Sequence, residues 1–259
     1  MSEHISGSEA AFVEQMNARA AELGMNNTHF VNCNGLDVEG HVTTALDVAL
    51  MSRELITKYP QVQNYTTIWM DTIIHNTQKG SSEFGLSSTN KLLKMYQYAT
   101  GLKTGSTSLA KYCLSATATK DGIDLIAVIM AAPDHKVRFS EATTLLNYGY
   151  GKCKLYRDTN QDHLSPIPIT MGITDTVNCH YASEFTYLDT TGADLSSMEK
   201  KILMNEIHQA PVTAGDVAGK AVYSLAGKEI GSVNILYSDS VKKMEFSDCL
   251  KKLLLRYSV

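Results

Sequence analysis

Two adjacent segments joined by a turn constrain the fold of this chain most strongly. Residues 112–119 alternate in side-chain character with a period of two, as in a strand that packs one face on a core. Asp121-Gly122 follows, a pair typical of a two-residue hairpin turn, and residues 123–130 form the apolar run of a buried strand. The pattern predicts an antiparallel hairpin, and residues 101–107 precede it as a third, outer strand.

Three other segments have the spacing of amphipathic helices. The first has a predicted capping box, with Ser6 as N-cap and Glu9 three residues later. The second is predicted to begin at Thr44 and to end before Tyr59. Residues 61–95 are mixed and polar, and Lys79-Gly80-Ser81-Ser82 is predicted to be an exposed loop. The third helix follows the hairpin, and its predicted inner face consists of Ala142, Leu145, Leu146 and Tyr148.

The length of 259 residues suits one large domain or two smaller ones. Short strand-like runs separated by turn residues dominate the sequence after about residue 155. We therefore predict an α/β domain over residues 1–155, a small all-β domain over 156–240 and an amphipathic tail over 241–259. The tail contains Lys242, Lys243, Lys251, Lys252 and Arg256 against Glu245 and Asp248. Such a helix lies in a membrane interface or packs on its own domain, and the tail alone leaves both open.

Composition excludes several classes of function. The net charge of −4 gives no general attraction to nucleic acid. The longest apolar run has eight residues, far fewer than the roughly 20 of a membrane-spanning helix, and the first residues have no signal-peptide pattern. The five cysteines are scattered and no paired histidine motif occurs, so neither a disulfide framework nor a metal or other cofactor is expected.

The outer strand contains Lys103-Thr104-Gly105, a tripeptide that carries little information in isolation. At the start of an edge strand, its ammonium group can place a positive charge beside catalytic hydroxyls. The threonine hydroxyl can donate to a substrate carboxylate, and glycine permits close approach of a substrate backbone. The strand edge itself can pair with a peptide by adding it as another strand.

Lys-Thr-Gly is the third motif of penicillin-binding proteins and serine β-lactamases. The whole chain resembles the low-molecular-weight serine D-alanyl-D-alanine carboxypeptidases among them, and its β-domain argues against a β-lactamase. The stretches that carry the resemblance are residues 7–25, 27–32, 34–37, 90–93, 101–105, 127–133, Arg138, 141–149, 209–212 and 227–231.

The resemblance implies a partial transpeptidase-like α/β domain followed by a β-rich module. It also implies removal of terminal D-Ala from cell-wall stem peptides through an acyl-enzyme that β-lactams trap, outside the cytoplasm and at the membrane. By family analogy, Lys103 is catalytic, Thr104 holds the substrate carboxylate, and the Ser106 N–H forms half of the oxyanion hole. Gly105 and Arg138 complete the predicted substrate site. For Arg138, an exposed salt bridge beside the helix is the alternative.

The family's nucleophilic serine, in Ser-x-x-Lys, and its Ser-x-Asn motif lie upstream of the stretch that matches residues 7–25. The chain is therefore expected to be an N-terminally truncated member that is inactive alone. A non-catalytic protein derived from the family, which binds cell-wall peptide or acts as a scaffold, is the alternative. Four Ser-x-x-Lys pairs occur here, and none fits the family's position: Ser88…Lys91, Ser108…Lys111, Ser197…Lys200 and Ser240…Lys243.

Overall fold

A computed structural model describes residues 1–78 and 80–257 of the chain. Contacts divide it into a first unit, Met1–Lys152, and a second unit, Cys153–Val259. The predicted boundary between the α/β and all-β domains lies three residues later, after residue 155. Among the described residues, each unit contains its own buried apolar side chains, with one cluster in the first unit and two in the second.

The first unit combines helices with a three-stranded antiparallel sheet and a separate hairpin. Its helices are α1 (Ser2–Ser6), α2 (Glu9–Glu22), α3 (Ala45–Lys58), α4 (Gln63–Thr66), α5 (Leu92–Met95) and α6 (Val137–Lys152). Its strands are β1 (Met70–Thr77), β2 (Gly80–Ser87), β3 (Ala99–Thr107), β4 (Lys111–Lys120) and β5 (Ile123–Ala132). The strand order in the sheet is β3-β4-β5, and β1 pairs with β2.

The predicted hairpin and outer strand are confirmed. Asp121 and Gly122 have φ angles of 51° and 77°, so both turn residues adopt the left-handed conformation of a tight hairpin turn. The alternation along β4 is also confirmed. Leu114 packs in the core cluster that contains the α6 residues, whereas the hydroxyl of Ser115 lies 2.7 Å from that of Ser52 in α3. Because successive side chains alternate, the two faces of β4 serve different helices.

Two of the helix predictions are wrong in detail, and one is confirmed. Ser8, and not Ser6, caps α2 by accepting a hydrogen bond from Ala11 N, because Gly7 at φ 79° ends α1 first. The second helix starts and ends where it was predicted, with Thr44 as N-cap. On α6, Leu145 and Tyr148 are exposed, and the inner face is formed instead by Arg138, Phe139, Ala142 and Leu146.

The hairpin β1–β2 lies in a stretch for which the sequence predicted no strand. Gly80, Ser81 and Ser82 belong to β2 and not to a loop, whereas Lys79 lies outside the described residues. All residues of both strands are exposed. The period-2 pattern is weak here because neither face of the hairpin is buried within the first unit.

The second unit is rich in β-strands. Its strands are β6 (Lys154–Asp158), β7 (Ile167–Pro168), β8 (Thr176–Val177), β9 (Cys179–Tyr181), β10 (Phe185–Asp189), β11 (Glu199–Met204), β12 (Val217–Leu225) and β13 (Lys228–Tyr237). Four of them form a sheet in the order β11-β12-β13-β9, β10 pairs with β6, and β7 pairs with β8. The rings of Phe185 and Tyr223 stack at 3.8 Å in its aromatic core. The helix α7 (Phe246–Tyr257) ends the described chain.

Candidate functional site

The tripeptide Lys103-Thr104-Gly105 lies in the middle of β3, at the edge of the sheet. Thr104 pairs with Leu114, and Gly105 pairs with Cys113, both in β4. Among the described residues no strand pairs with the other side of β3. Lys103, Gly105 and Ser106 are exposed, and Thr104 is buried with 7% of its surface accessible. The segment therefore presents an open strand edge to a peptide.

The hydroxyl of Thr104 is held by a neighbouring threonine. Its Oγ1 lies 2.6 Å from Oγ1 of Thr89, and either oxygen can donate the proton. The two hydroxyls together form a polar pair beside the strand edge, which suits hydrogen bonding to a carboxylate.

Lys103 lies at the boundary of an apolar cavity of about 590 Å³ between α3 and the sheet. Its Nζ donates a 2.6 Å hydrogen bond to the carbonyl oxygen of Thr104. Apolar side chains that line the cavity include Leu55, Leu102, Val128 and Met130. A cation beside such a low-dielectric space stabilises an anion there strongly, whether a carboxylate or an ionising hydroxyl.

Arg138 lies beneath β3 and holds two strands together. Its Nη1 donates to the carbonyl oxygens of Gly105 at 3.1 Å and Cys113 at 3.3 Å. The guanidinium lies 4.8 Å from the ring centroid of Phe139 and 5.5 Å from that of Tyr112. Its side chain is buried, and burial lowers its pKa from the ordinary value. The alternative of an exposed salt bridge is therefore wrong for Arg138.

The loop before α3 approaches the other end of β3, and sequence reasoning assigned it no role. Residues 35–38 and 41–43 of the loop, together with residues 105–107, 109 and 110, line a second cavity of about 470 Å³. Asp37 lines it and accepts a 3.2 Å hydrogen bond from Leu109 N through Oδ2. The similarity of residues 34–37 to the family was the available indication that this loop belongs to the site.

Buried polar contacts fix the start and end of this loop. Asp47, in the first turn of α3, accepts hydrogen bonds from Thr28 Oγ1 at 2.7 Å and from Asn27 N at 2.9 Å. The Thr28 hydroxyl is the main cause that holds the pKa of Asp47 below its usual value. Asn17 of α2 exchanges two 2.8 Å hydrogen bonds with the backbone of Phe30. The loop is therefore anchored to two helices.

None of the four Ser-x-x-Lys serines has the surroundings of an activated nucleophile. Such a serine needs a base within hydrogen-bond reach. Ser88 accepts from Asn90 N, Ser197 donates to the carbonyl of Asp194, and Ser240 accepts from Ala214 N. Ser108 lies in the exposed turn after β3. Within the described residues, no lysine amine is hydrogen-bonded to any of these hydroxyls.

Comparison with known families decides the relationship. The family model described as D-alanyl-D-alanine carboxypeptidase matches residues 1–134, which is more than half of the chain. The chain belongs to the D-alanyl-D-alanine carboxypeptidase family. A second family model, the C-terminal domain of penicillin-binding protein 5, matches residues 151–243. The resemblance, and the fold class of an α/β domain followed by a β-domain, are confirmed.

Individual relatives agree with this assignment. D-alanyl-D-alanine carboxypeptidase DacF of Bacillus subtilis is 34% identical over 98% of this chain and 64% of its own length. DacA of Haemophilus influenzae is 30% identical over 93% of this chain and 60% of its own length. The crystal structure of penicillin-binding protein 5 from Haemophilus influenzae matches 93% of this chain and 69% of that chain, with a TM-score of 0.62 and 28% identity. The chain thus spans less than two thirds of the length of DacF and of DacA.

Proposed function

We propose that this chain carries the peptide-binding strand of a serine D-Ala-D-Ala carboxypeptidase. In this reaction a serine oxygen attacks the carbonyl of the penultimate D-Ala, and the amide C–N bond breaks. Terminal D-Ala leaves with a proton on its nitrogen, and water then hydrolyses the acyl-enzyme ester. The open edge of β3 at Lys103-Thr104-Gly105 carries the proposal, because an extended peptide can add there as a strand.

The geometry suggests a role for each residue of the strand. Thr104, with Thr89, binds the terminal carboxylate of the substrate, and Lys103 supplies a positive charge beside it. The backbone N–H of Ser106, an exposed residue, forms half of the oxyanion hole in this proposal, and the N–H of the nucleophilic serine forms the other half. Arg138 acts as a positioning residue, since its bonds to the carbonyls of Gly105 and Cys113 fix the strand that presents these groups.

The nucleophile belongs to the family's upstream Ser-x-x-Lys motif, and we propose that this chain is inactive alone. The apolar cavity beside Lys103 supports this arrangement, because it provides an apolar surface on which a helix carrying that motif can pack. A site of this family that includes the nucleophilic serine is expected to react with β-lactams. The relatives are named as carboxypeptidases, which does not favour the alternative of a non-catalytic scaffold.

The cell wall is the proposed place of action, outside the cytoplasm, and α7 is the proposed contact with a membrane surface. No helix in the described part of the chain is long and apolar enough to cross a membrane. The helix α7 exposes Phe246, Leu250, Leu253 and Leu254. These residues share one side of the helix at spacings of three and four, while Lys252 pairs with Asp175 at 2.7 Å. An apolar stripe flanked by lysines suits an anionic lipid interface.

Peptide binding tests the proposed function directly. The chain is titrated with a labelled acetyl-Lys-D-Ala-D-Ala peptide, and an L-Ala-L-Ala peptide of the same composition serves as control. Saturable binding of the D-Ala-D-Ala peptide, and much weaker binding of the control, is expected. Absence of saturable binding by the D-Ala-D-Ala peptide would overturn the assignment of β3 as the peptide-binding strand in this chain.

Sedimentation with lipid vesicles tests the membrane contact. Binding to vesicles that contain anionic lipid is expected, and Leu254→Glu should weaken it by about tenfold or more, because it places a negative charge on the exposed apolar stripe that would enter the lipid. Gln161→Glu adds the same charge elsewhere in the second unit and should leave binding unchanged within about twofold. Equal binding by the chain and Leu254→Glu would exclude α7 as the contact.

A further inference from the structure

The second cavity lies at the end of β3 away from Thr104. It shares Gly35, Gly105, Cys113 and Met130 with the apolar cavity, so the two spaces meet beside Gly105 of the strand. Ser106, Thr107 and Asp37 then line the second cavity alone. A ligand that occupies the Thr104 end and continues along the strand edge therefore reaches this space next.

The lining of the second cavity has a definite charge. Asp37 contributes its carboxylate, and neither lysine nor arginine is among the described lining residues. The backbone N–H of Leu109 anchors Asp37 Oδ2, and the structure gives Oδ1 no hydrogen-bond partner among the described residues. His41 also lines the cavity, and its Nδ1 accepts a 3.2 Å hydrogen bond from Val31 N. The cavity thus presents a fixed anion with a free oxygen.

The length of the strand places this anion relative to the reacting groups. A strand rises about 3.3 Å per residue, so Thr107 lies roughly 10 Å along the chain from Thr104. A peptide whose terminal carboxylate lies at Thr104 and whose scissile carbonyl meets Ser106 N–H continues past Thr107. The residue that precedes D-Ala-D-Ala is then the one whose side chain reaches Asp37.

We propose that Asp37 determines substrate specificity by binding a cationic amine on the side chain of the residue that precedes D-Ala-D-Ala. The inference rests on the proposed function, because it takes the position of the peptide along β3 from it. A carboxylate anchored by one oxygen and exposed at the other suits an ammonium group at the end of a flexible side chain. A neutral or acidic side chain at that position gains nothing from it.

Two peptides that differ only at this amine test the inference. Binding of acetyl-Lys-D-Ala-D-Ala, with a free side-chain ammonium, is compared with binding of the same peptide acetylated on that amine. We expect the free amine to bind about threefold to fivefold more tightly, as for a solvent-exposed ion pair, and the difference to shrink at high salt. Equal affinities would overturn the inference while leaving the proposed function in place.

Substitution of the acid adds a matched comparison. Asp37→Asn keeps an acceptor for Leu109 N and removes the charge, so it should weaken only the free-amine peptide, to the level of the acetylated one. Glu39→Gln removes a charge from the same loop, at a residue that does not line the cavity, and should preserve the preference. Preference retained in Asp37→Asn would overturn the role of Asp37. Failure of both peptides to bind would instead overturn the proposed function, and the inference with it.

Discussion

At the scale of single residues, the site depends on β3, whose side chains differ in exposure and in the contacts that they make. Thr104 is buried against Thr89, while Lys103 and Ser106 on either side of it are exposed. Arg138 contacts β3 and β4 through the carbonyl oxygens of Gly105 and Cys113, to which its guanidinium donates. Substitutions that remove the Thr104 hydroxyl, the Lys103 charge or the Arg138 contacts with carbonyl oxygens are therefore expected to have separable effects.

Thr104→Val tests the hydroxyl at nearly constant side-chain volume. It should weaken binding of a D-Ala-D-Ala peptide by about tenfold or more, because a hydrogen bond to a charged group contributes about 1.5–3 kcal/mol. Fluorescence anisotropy of a labelled peptide measures the effect. Ser108→Ala, which removes a hydroxyl from the exposed turn just after the strand, should change affinity by less than about twofold. Unchanged affinity in Thr104→Val would remove this hydroxyl from the carboxylate site.

At the scale of elements, each unit depends on a local arrangement that can be tested separately. In the first unit the tight turn between β4 and β5 sets the register of the sheet that positions β3. In the second unit a lysine in β11 joins two acidic residues that lie in and just after β6. Neither arrangement includes a residue of the open strand edge, so both are expected to affect stability and not peptide recognition directly.

Gly122→Val tests the turn. Gly122 has φ 77°, a conformation that disfavours a β-branched residue, so the free energy of unfolding of the first unit should fall by about 1–2 kcal/mol. Urea denaturation followed by fluorescence of Trp69, the chain's single tryptophan, reports on this unit. Gly151→Ala makes the reverse comparison within α6, where the added methyl meets no atom within 4 Å. Gly151→Ala should raise the free energy of unfolding of the first unit by up to about 1 kcal/mol. If both variants lowered it, the claim that Gly122 is required for its positive φ would be contradicted.

Lys200→Met tests the charge cluster of the second unit. Lys200 Nζ lies 3.1 Å from Asp158 Oδ2 and 3.0 Å from Asp162 Oδ1. Burial alone would raise the pKa of Asp158, yet hydrogen bonds from Asn160 N and Lys200 lower it overall. The hydrogen bond from Lys200 is the main cause that lowers the pKa of Asp162. Carboxylates with depressed pKa values stabilise the fold above their unfolded value of about 4, and this stability disappears as the pH falls through the folded value.

The free energy of unfolding of Lys200→Met should therefore be about 1–2 kcal/mol lower than that of the unchanged chain near neutral pH. On acidification it should fall by less than that of the unchanged chain. Hydrogen exchange of peptides from β11 and β12 in the full chain measures both effects. Lys201→Met removes the adjacent, exposed lysine and should resemble the unchanged chain. The stability difference between Lys200→Met and the unchanged chain should shrink from pH 7 to pH 3. A constant difference would contradict the assignment of the acid-labile stability to these carboxylates.

At the scale of the whole molecule, family membership and the site geometry together predict reactivity towards β-lactams. Among the described residues, none of the four candidate serines has a lysine partner, so mass spectrometry should detect no covalent adduct after incubation of this chain with penicillin. A penicillin-binding protein that carries its own Ser-x-x-Lys helix serves as the positive control. A stable adduct on any serine of this chain would show that the nucleophile has been misplaced.

The sequence predicted the elements whose pattern is local. The alternation of residues 112–119 and the Asp121-Gly122 pair were sufficient for β4, β5 and their turn, because the two faces of a strand and a tight turn each select residues at fixed spacing. The N-cap of α3 was equally local. The hairpin β1–β2 escaped prediction because both of its faces are exposed and no alternation was imposed on it.

The sequence by itself also determined the family, since the similarity runs along the whole chain and needs no coordinates. Only the tertiary structure decided that Arg138 lies buried against the carbonyls of Gly105 and Cys113, and that Leu145 and Tyr148 of the same helix face outwards. It alone brought Asp37 to the end of β3, 72 residues before Leu109 in the chain. Such contacts depend on how separate elements pack, and no local spacing records the distance between residues far apart in sequence.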